Sequence, residues 1–241
     1  MSYRTTKTSN LECPMSVILN VLFWSIFAVV LACMEIESEG RKGWAENAPT
    51  WYRVTPWYAK AYGAVMGKKP LTGYHMFTFF MPFLLFHAHF AMGMEWSGVN
   101  ELLTLAMYFI VCPLWDYYWF VLNPWYRGKF TKRDIWWHAQ SYWVFGRFPV
   151  DYLIGFSLSI LLAGAAAWWA TDAWLIQKHL LTLLGFALFT ALLHLVSPLY
   201  RKWYWHMRRK NADERQLVNI FHSPVPQEIT REMLMNTERN R

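Results

Sequence analysis

Glu35, Glu37, His75, Asp116, His138 and His194 carry the chemistry that this sequence offers most plainly. Neutral imidazole and carboxylate oxygen are ordinary ligands of iron, copper and zinc, so these residues, if they converged, would hold a non-haem transition metal. Most of them fall inside or at the ends of long apolar blocks. An ionisable group at membrane depth is costly, which makes each one a functional candidate by default. The alternative is that they hydrogen-bond between helices or sit at the membrane interface, and spacing alone leaves both open. There is no HExxH, no pair of ExxH motifs, and no HxxxH or HxxHH box. His87 and His89 are close in sequence, but residues two apart on a helix do not share a face.

A second chemistry lies in the histidine intervals. His75 and His89 are 14 residues apart and His179 and His194 are 15 apart. These intervals resemble the paired axial ligands of cytochrome b, in which two helices hold two stacked haems. That resemblance implies a di-haem b-type electron-transfer protein. It is confined to spacing, and Phe77, Phe79, Phe80, Met81 and Phe86 make the helix bulky where a macrocycle needs room. A non-haem ion is therefore the expected cofactor, with haem b as the alternative.

The elements that must position these residues are spanning helices. The chain has 241 residues, 55% hydrophobic and 16% charged, too apolar for an ordinary soluble domain. A helix needs about 20 largely apolar residues to cross a bilayer. Five blocks meet that need, at residues 15–34, 73–93, 101–122, 150–170 and 174–196. Pro82 is expected to kink the second, and Asn123-Pro124 to stop the third. The fold class expected is all-α, a polytopic membrane helix bundle of about five transmembrane helices. It divides into an N-terminal tail (1–14), a transmembrane domain (15–197) and a basic cytoplasmic tail (198–241). Gly155, Ser159, Ala163 and Ala167 form a small-residue stripe for close helix packing. Thr131 to Asp134 fits a capping box opening a short interfacial helix.

Charge orients the bundle. Lys and Arg gather between the first and second spans (Arg41, Lys42, Arg53, Lys60, Lys68, Lys69), between the third and fourth (Arg127, Lys129, Lys132, Arg133, Arg147), and in the tail, whereas 94–100 and 171–173 have none. Short cytoplasmic loops hold such an excess, so the N-terminus is expected outside and the C-terminus in the cytoplasm. Glu35, Glu37, His75, Asp116, His138, Asp151 and His194 then share the cytoplasmic layer. His87, His89, Glu95, Glu101, Lys178 and His179 fall in the outer one. The net charge of +7 lies beside the spans. It suits anionic lipid rather than nucleic acid. Cys13, Cys33 and Cys112 form no CxxC and suggest neither a disulfide framework nor a zinc knuckle. The first apolar run lacks a small-residue cleavage site and reads as a retained helix.

The segments Glu35-Ile36-Glu37, Gly43-Trp44-Ala45-Glu46, Pro49-Thr50-Trp51, Gly73-Tyr74-His75, Trp119 to Pro124 and Trp136-Trp137-His138 are similar to a family of small uncharacterised prokaryotic integral membrane proteins. The resemblance covers residues 35–151 and carries no activity. It implies that His75, Asp116, Asn123 and His138 belong to a shared pattern, and that the membrane is a prokaryotic cytoplasmic (inner) membrane. It favours the cytoplasmic layer over the di-haem quartet.

The expected function is an integral membrane metal-dependent oxidoreductase. Its substrate would be lipid-like or small and apolar, and Asn123 would support the site as a hydrogen-bond donor. The competing class is a non-catalytic subunit of a larger respiratory, photosynthetic or monooxygenase-type membrane complex, whose aromatic surfaces and small-residue stripe serve neighbouring proteins. Membrane lipid, and in the second case membrane protein subunits, are the expected partners.

Overall fold

A computed structural model describes residues 12–46, 48–126, 142–146 and 148–218. His138 and the Thr131 capping box lie outside the described residues, as does His222. The described chain forms α1 (Glu12–Glu39), β1 (Tyr52–Arg53), α2 (Trp57–Val65), β2 (Leu71–Thr72), α3 (Gly73–Ala91), α4 (Gly98–Leu122), β3 (Trp143–Val144), β4 (Phe148–Pro149), α5 (Val150–Ala170) and α6 (Ala173–Val218). The strands are two short antiparallel pairs. Tyr52 pairs with Thr72 and Trp143 with Pro149, and each pair leads directly into a long helix.

Four helices are long and apolar enough to cross a membrane: Met15–Glu39, Gly98–Leu122, Val150–Ala170 and Ala173–Arg209. The second expected span, α3, is a 19-residue helix with Pro82 inside it. It falls below those four in apolarity because His75, His87, His89, Gly73 and Tyr74 dilute its apolar residues. Its outer face is nevertheless apolar, with Phe77, Phe80, Leu84 and Leu85 exposed. The fifth expected span ends much later than residue 196. Pro198 sits within α6 without ending it, and the helix runs 46 residues, about 69 Å at 1.5 Å per residue. That is over twice the roughly 30 Å of a hydrocarbon core, so α6 has a helical extension beyond any span.

Large apolar residues cover the outside: Leu19, Phe23, Ile26 and Val30 on α1, Leu153 and Leu161 on α5, Leu188 and Leu195 on α6. In lipid such faces need no cover, and helix association relies on close packing and interhelical hydrogen bonds. α4 is the interior helix. Within its apolar window 56% is buried, against 28%, 28% and 22% for α1, α5 and α6. It contacts α1, α3, α5 and α6, and Ile110, Val111, Tyr118, Trp119 and Phe120 lie almost wholly within the core.

Ser97 opens α4 by accepting from the Asn100 amide (3.2 Å), and Asn123 closes it at the expected stop. The small-residue stripe of α5 faces inward, with Gly155, Ser159, Ala163 and Ala167 all buried. A Cβ on Gly155 would stand 2.7 Å from Pro113 Cγ and 3.0 Å from the Phe109 carbonyl oxygen. Ser159 Oγ donates to the Ala106 carbonyl (2.7 Å) and lies 2.9 Å from His179 Nε2. The stripe is thus used within the chain, where α4 and α5 approach most closely.

Candidate metal centre

The last turn of α1 carries Glu35 and Glu39, four residues apart and so on one face. Both are buried, 8% and 5% exposed, as is His75 at 3%. His75 arrives from the first turn of α3. Thr72 caps that helix, its Oγ1 accepting from the His75 amide (3.0 Å) and lying 2.8 Å from His75 Nδ1. The ring is thereby turned so that Nε2 stands 3.3 Å from Glu39 Oε1. One ligand atom from each of Glu35, Glu39 and His75 lies within 4.8 Å of the others. Metal bonds of about 2.0–2.2 Å put two ligands of one ion at most about 4.4 Å apart. Only an opposite pair can stand that far apart, so the three atoms would draw together by up to roughly 1–1.5 Å to take tetrahedral positions on one ion.

The loop after α1 holds this arrangement. Gly40, Gly43, Trp44 and Ala45 all have positive φ, and for Trp44 and Ala45 that conformation costs roughly 1–2 kcal/mol each. The strained turn directs the Ala45 amide to Glu39 Oε1 (2.7 Å) and lays the Trp44 indole on the His75 ring, centroids 4.0 Å apart and 17° from parallel. Trp44 Nε1 donates to the Pro70 carbonyl (3.1 Å). Asn123, from the end of α4, ties the same loop down. Its Nδ2 donates to the Gly40 carbonyl (3.2 Å) while its Oδ1 accepts from the Trp125 amide (3.1 Å). Asn123 is fully buried, and it supports the site by fixing the backbone that follows Glu39.

The cluster forms one pole of a cavity of about 400 Å³. Lys69, Asp116 and Asp151 also line the cavity, the two carboxylates near enough to act on the Lys69 charge, together with the apolar Phe79, Phe109, Pro113, Ile154 and Leu158. The Tyr152 hydroxyl donates to the Asp116 carboxylate. Lys69 is 6% exposed and its Nζ stands 4.5 Å over the Trp44 ring. Burial pushes its ammonium down from the ordinary lysine value, against the opposing pull of Asp116 and Asp151. The Tyr62 hydroxyl lines the cavity without a hydrogen-bond partner among the described residues, and burial pushes it up, so it remains a donor.

Of the residues singled out in the sequence, Glu35 and His75 meet in the cluster and Asp116 lies in the same cavity. Glu37 does not join them. Two residues on from Glu35, it faces the other side of α1, where its carboxylate pairs with Arg208 (3.1 Å) and is 57% exposed. His194 is also apart, outside the cavity lining, with Nε2 2.9 Å from the Tyr117 hydroxyl. His138 lies outside the described residues. The other histidines of the di-haem spacing have neighbours of their own. His179 is against Ser159, and His89 Nε2 is 3.3 Å from Thr104 Oγ1.

Glu39 was legible in the sequence as the i+4 partner of Glu35, one helical turn on, whereas Glu37, two residues on, faces away from it. Lys69 and Tyr62 had no sequence signal beyond their residue type. No family model, curated protein or solved structure matches this chain.

Proposed function

We propose that the protein is a membrane-embedded metal-dependent oxidoreductase acting on a lipid-like or small apolar substrate. The observation that carries this reading is the convergence of the buried Glu35, Glu39 and His75 on the lining of a largely apolar cavity. Two carboxylates and one imidazole suit iron, copper or zinc, and three protein ligands leave coordination positions for a reacting group. A metal there would polarise a bound oxygen or support electron transfer. Were Nε2 to hold a metal, His75 Nδ1–H would donate to Thr72 Oγ1, 2.8 Å away, the supporting bond that fixes tautomer and ring orientation in such sites. The apolar walls would keep water from the reaction.

The reading includes five crossings. The 19 residues of α3 span about 28 Å, close to the hydrocarbon thickness, and its exposed Phe and Leu residues suit lipid. The Lys and Arg distribution supports an outside N-terminus and a cytoplasmic C-terminus in a prokaryotic inner membrane, with the metal centre near the cytoplasmic face.

Elemental analysis of the purified protein tests the proposal. About one equivalent of a transition metal is expected, lost in Glu39→Ala and His75→Ala and retained in Glu37→Gln. Equal metal in all four proteins would refute the site. Haem bands that vanish in His89→Ala and His179→Ala would favour the di-haem alternative. A stable complex from native membranes with neither metal nor haem would favour a non-catalytic subunit.

A further inference from the structure

Lys69 is placed by the turn that ends α2. Gly67 and Lys68 both take positive φ, 63° and 65°, and the Lys68 amide donates back to the Gly63 carbonyl (2.6 Å), the bond that closes a helix in the Schellman motif. This left-handed pair reverses the chain. Lys68 is left exposed, and Lys69 is turned inward at 6% exposure. The Pro70 carbonyl, next along, accepts from Trp44 Nε1 (3.1 Å) and so holds the stretch against the indole, with Lys69 Nζ 4.5 Å over the ring. The side chain lines the cavity of about 400 Å³, a size ordinary for small-molecule sites, among residues that are mostly apolar or aromatic.

A buried ammonium needs partners to offset its lost hydration, a cost of several kcal/mol. Among the described residues no carboxylate lies within ion-pair distance of Nζ. The Trp44 face returns about 0.5–2 kcal/mol, less than that cost. Asp116 and Asp151 favour the cation from further off, but each has a partner of its own, Tyr152 in the case of Asp116. Burial is the largest influence, and it pushes the ammonium down toward the neutral amine. An ordinary lysine is less than about 0.1% neutral at pH 7, so a fall of this kind multiplies the nucleophilic form. A lysine desolvated in an apolar pocket is suited to imine formation with carbonyl compounds.

We propose that Lys69 is a covalent site whose amine condenses reversibly with a small, uncharged aldehyde or ketone held in the cavity. The nitrogen attacks the carbonyl carbon, a proton passes from nitrogen to the oxygen, and the carbinolamine then loses water to leave the imine. The atoms balance without an oxidant or a reductant. The Tyr62 hydroxyl lines the same cavity, is buried with no hydrogen-bond partner among the described residues, and can donate to the departing oxygen. A carbonyl compound that also bears a carboxylate is disfavoured. Lys69 is the lysine of the described lining, which holds no arginine, and the imine uses it, leaving the carboxylate buried and unpaired. Lys69 is not one of the three cluster residues, so this site stands whether or not the cluster binds a metal.

Reductive trapping tests the proposal on the full-length protein in detergent at neutral pH. Octanal with cyanoborohydride fixes the imine as a secondary amine, which peptide mass spectrometry locates. Lys69 should carry at least about tenfold more octyl adduct than Lys60 and Lys68, which are exposed. Lys69→Arg should remove that adduct and leave those at Lys60 and Lys68 unchanged. With glyoxylate in place of octanal the order should reverse, the exposed lysines being modified more.

Octyl adduct at Lys69 no greater than at Lys60 and Lys68 would overturn the proposal in the wild-type protein, with no variant needed. Glyoxylate modifying Lys69 as readily as octanal does would overturn it too, because the amine would then be open to water rather than held in an apolar cavity.

Discussion

Glu35→Gln should change stability in opposite directions with and without metal. Its carboxylate and that of Glu39 are both buried, and their ligand atoms lie within 4.8 Å of one another. At an effective dielectric near 20, two ionised groups at that distance repel by about 3.5 kcal/mol. His75, 3.3 Å from Glu39, offsets part of this, and protonation of either acid would offset more. Glutamine keeps the shape and removes the repulsion, so the metal-free variant should be more stable than metal-free wild type by about 1–2 kcal/mol.

Metal reverses the order. At a free concentration 100 times the dissociation constant, the wild type gains about 2.7 kcal/mol from binding. Losing one ligand of three should weaken binding by at least about 100-fold, the upper end for loss of a mere supporting residue, leaving a gain of about 0.4 kcal/mol. Unfolding in detergent, followed with chelator and with added iron, copper or zinc, reads both signs. A variant less stable than wild type in chelator, together with an unchanged gain on adding metal, would refute the cluster as a metal site.

Gly155→Ala should cost about 1–3 kcal/mol in a detergent unfolding assay, because the new Cβ meets Pro113 and the Phe109 carbonyl at the α4–α5 contact. Lys69 gives a pH signature. Its folded value is depressed, so between that value and the ordinary lysine value the unfolded chain binds more protons and stability rises with pH. Lys69→Met should abolish this part of the rise, seen as a shrinking difference between variant and wild type as pH increases through that window. Topology is read by labelling: in a background with Cys13, Cys33 and Cys112 replaced, Lys68→Cys, at an exposed position, should react with membrane-impermeant maleimide only from the cytoplasmic side. Reaction from outside inverts the proposed orientation.

What the sequence determined follows from local rules. Long apolar blocks produced the helices, with α3, α4 and α5 near their expected limits and α6 running well past its own, since a helix satisfies its own backbone within one segment. Asn123-Pro124 ended α4 for the same local reason, and Glu35, His75 and Asp116 stood out because ionisable groups in apolar blocks are costly. Pro198 broke no helix, because the flanking residues of α6 sustain it on both sides.

Tertiary structure alone decided which ionisable groups meet. Glu37 is as close in sequence to Glu35 as any acid, yet helical geometry sends it to Arg208 and brings in Glu39 instead. His75 joins them only because the left-handed turn at Trp44 and Ala45, secured by Asn123 from α4, packs against the start of α3. The cavity itself exists because α3 and α5 each pack on α4 and leave a gap between them. These contacts join residues far apart in the chain, 83 positions for Asn123 and Gly40 and more for Glu37 and Arg208, and they are set by helix packing angles and side-chain fit, which no periodicity or composition along the chain encodes.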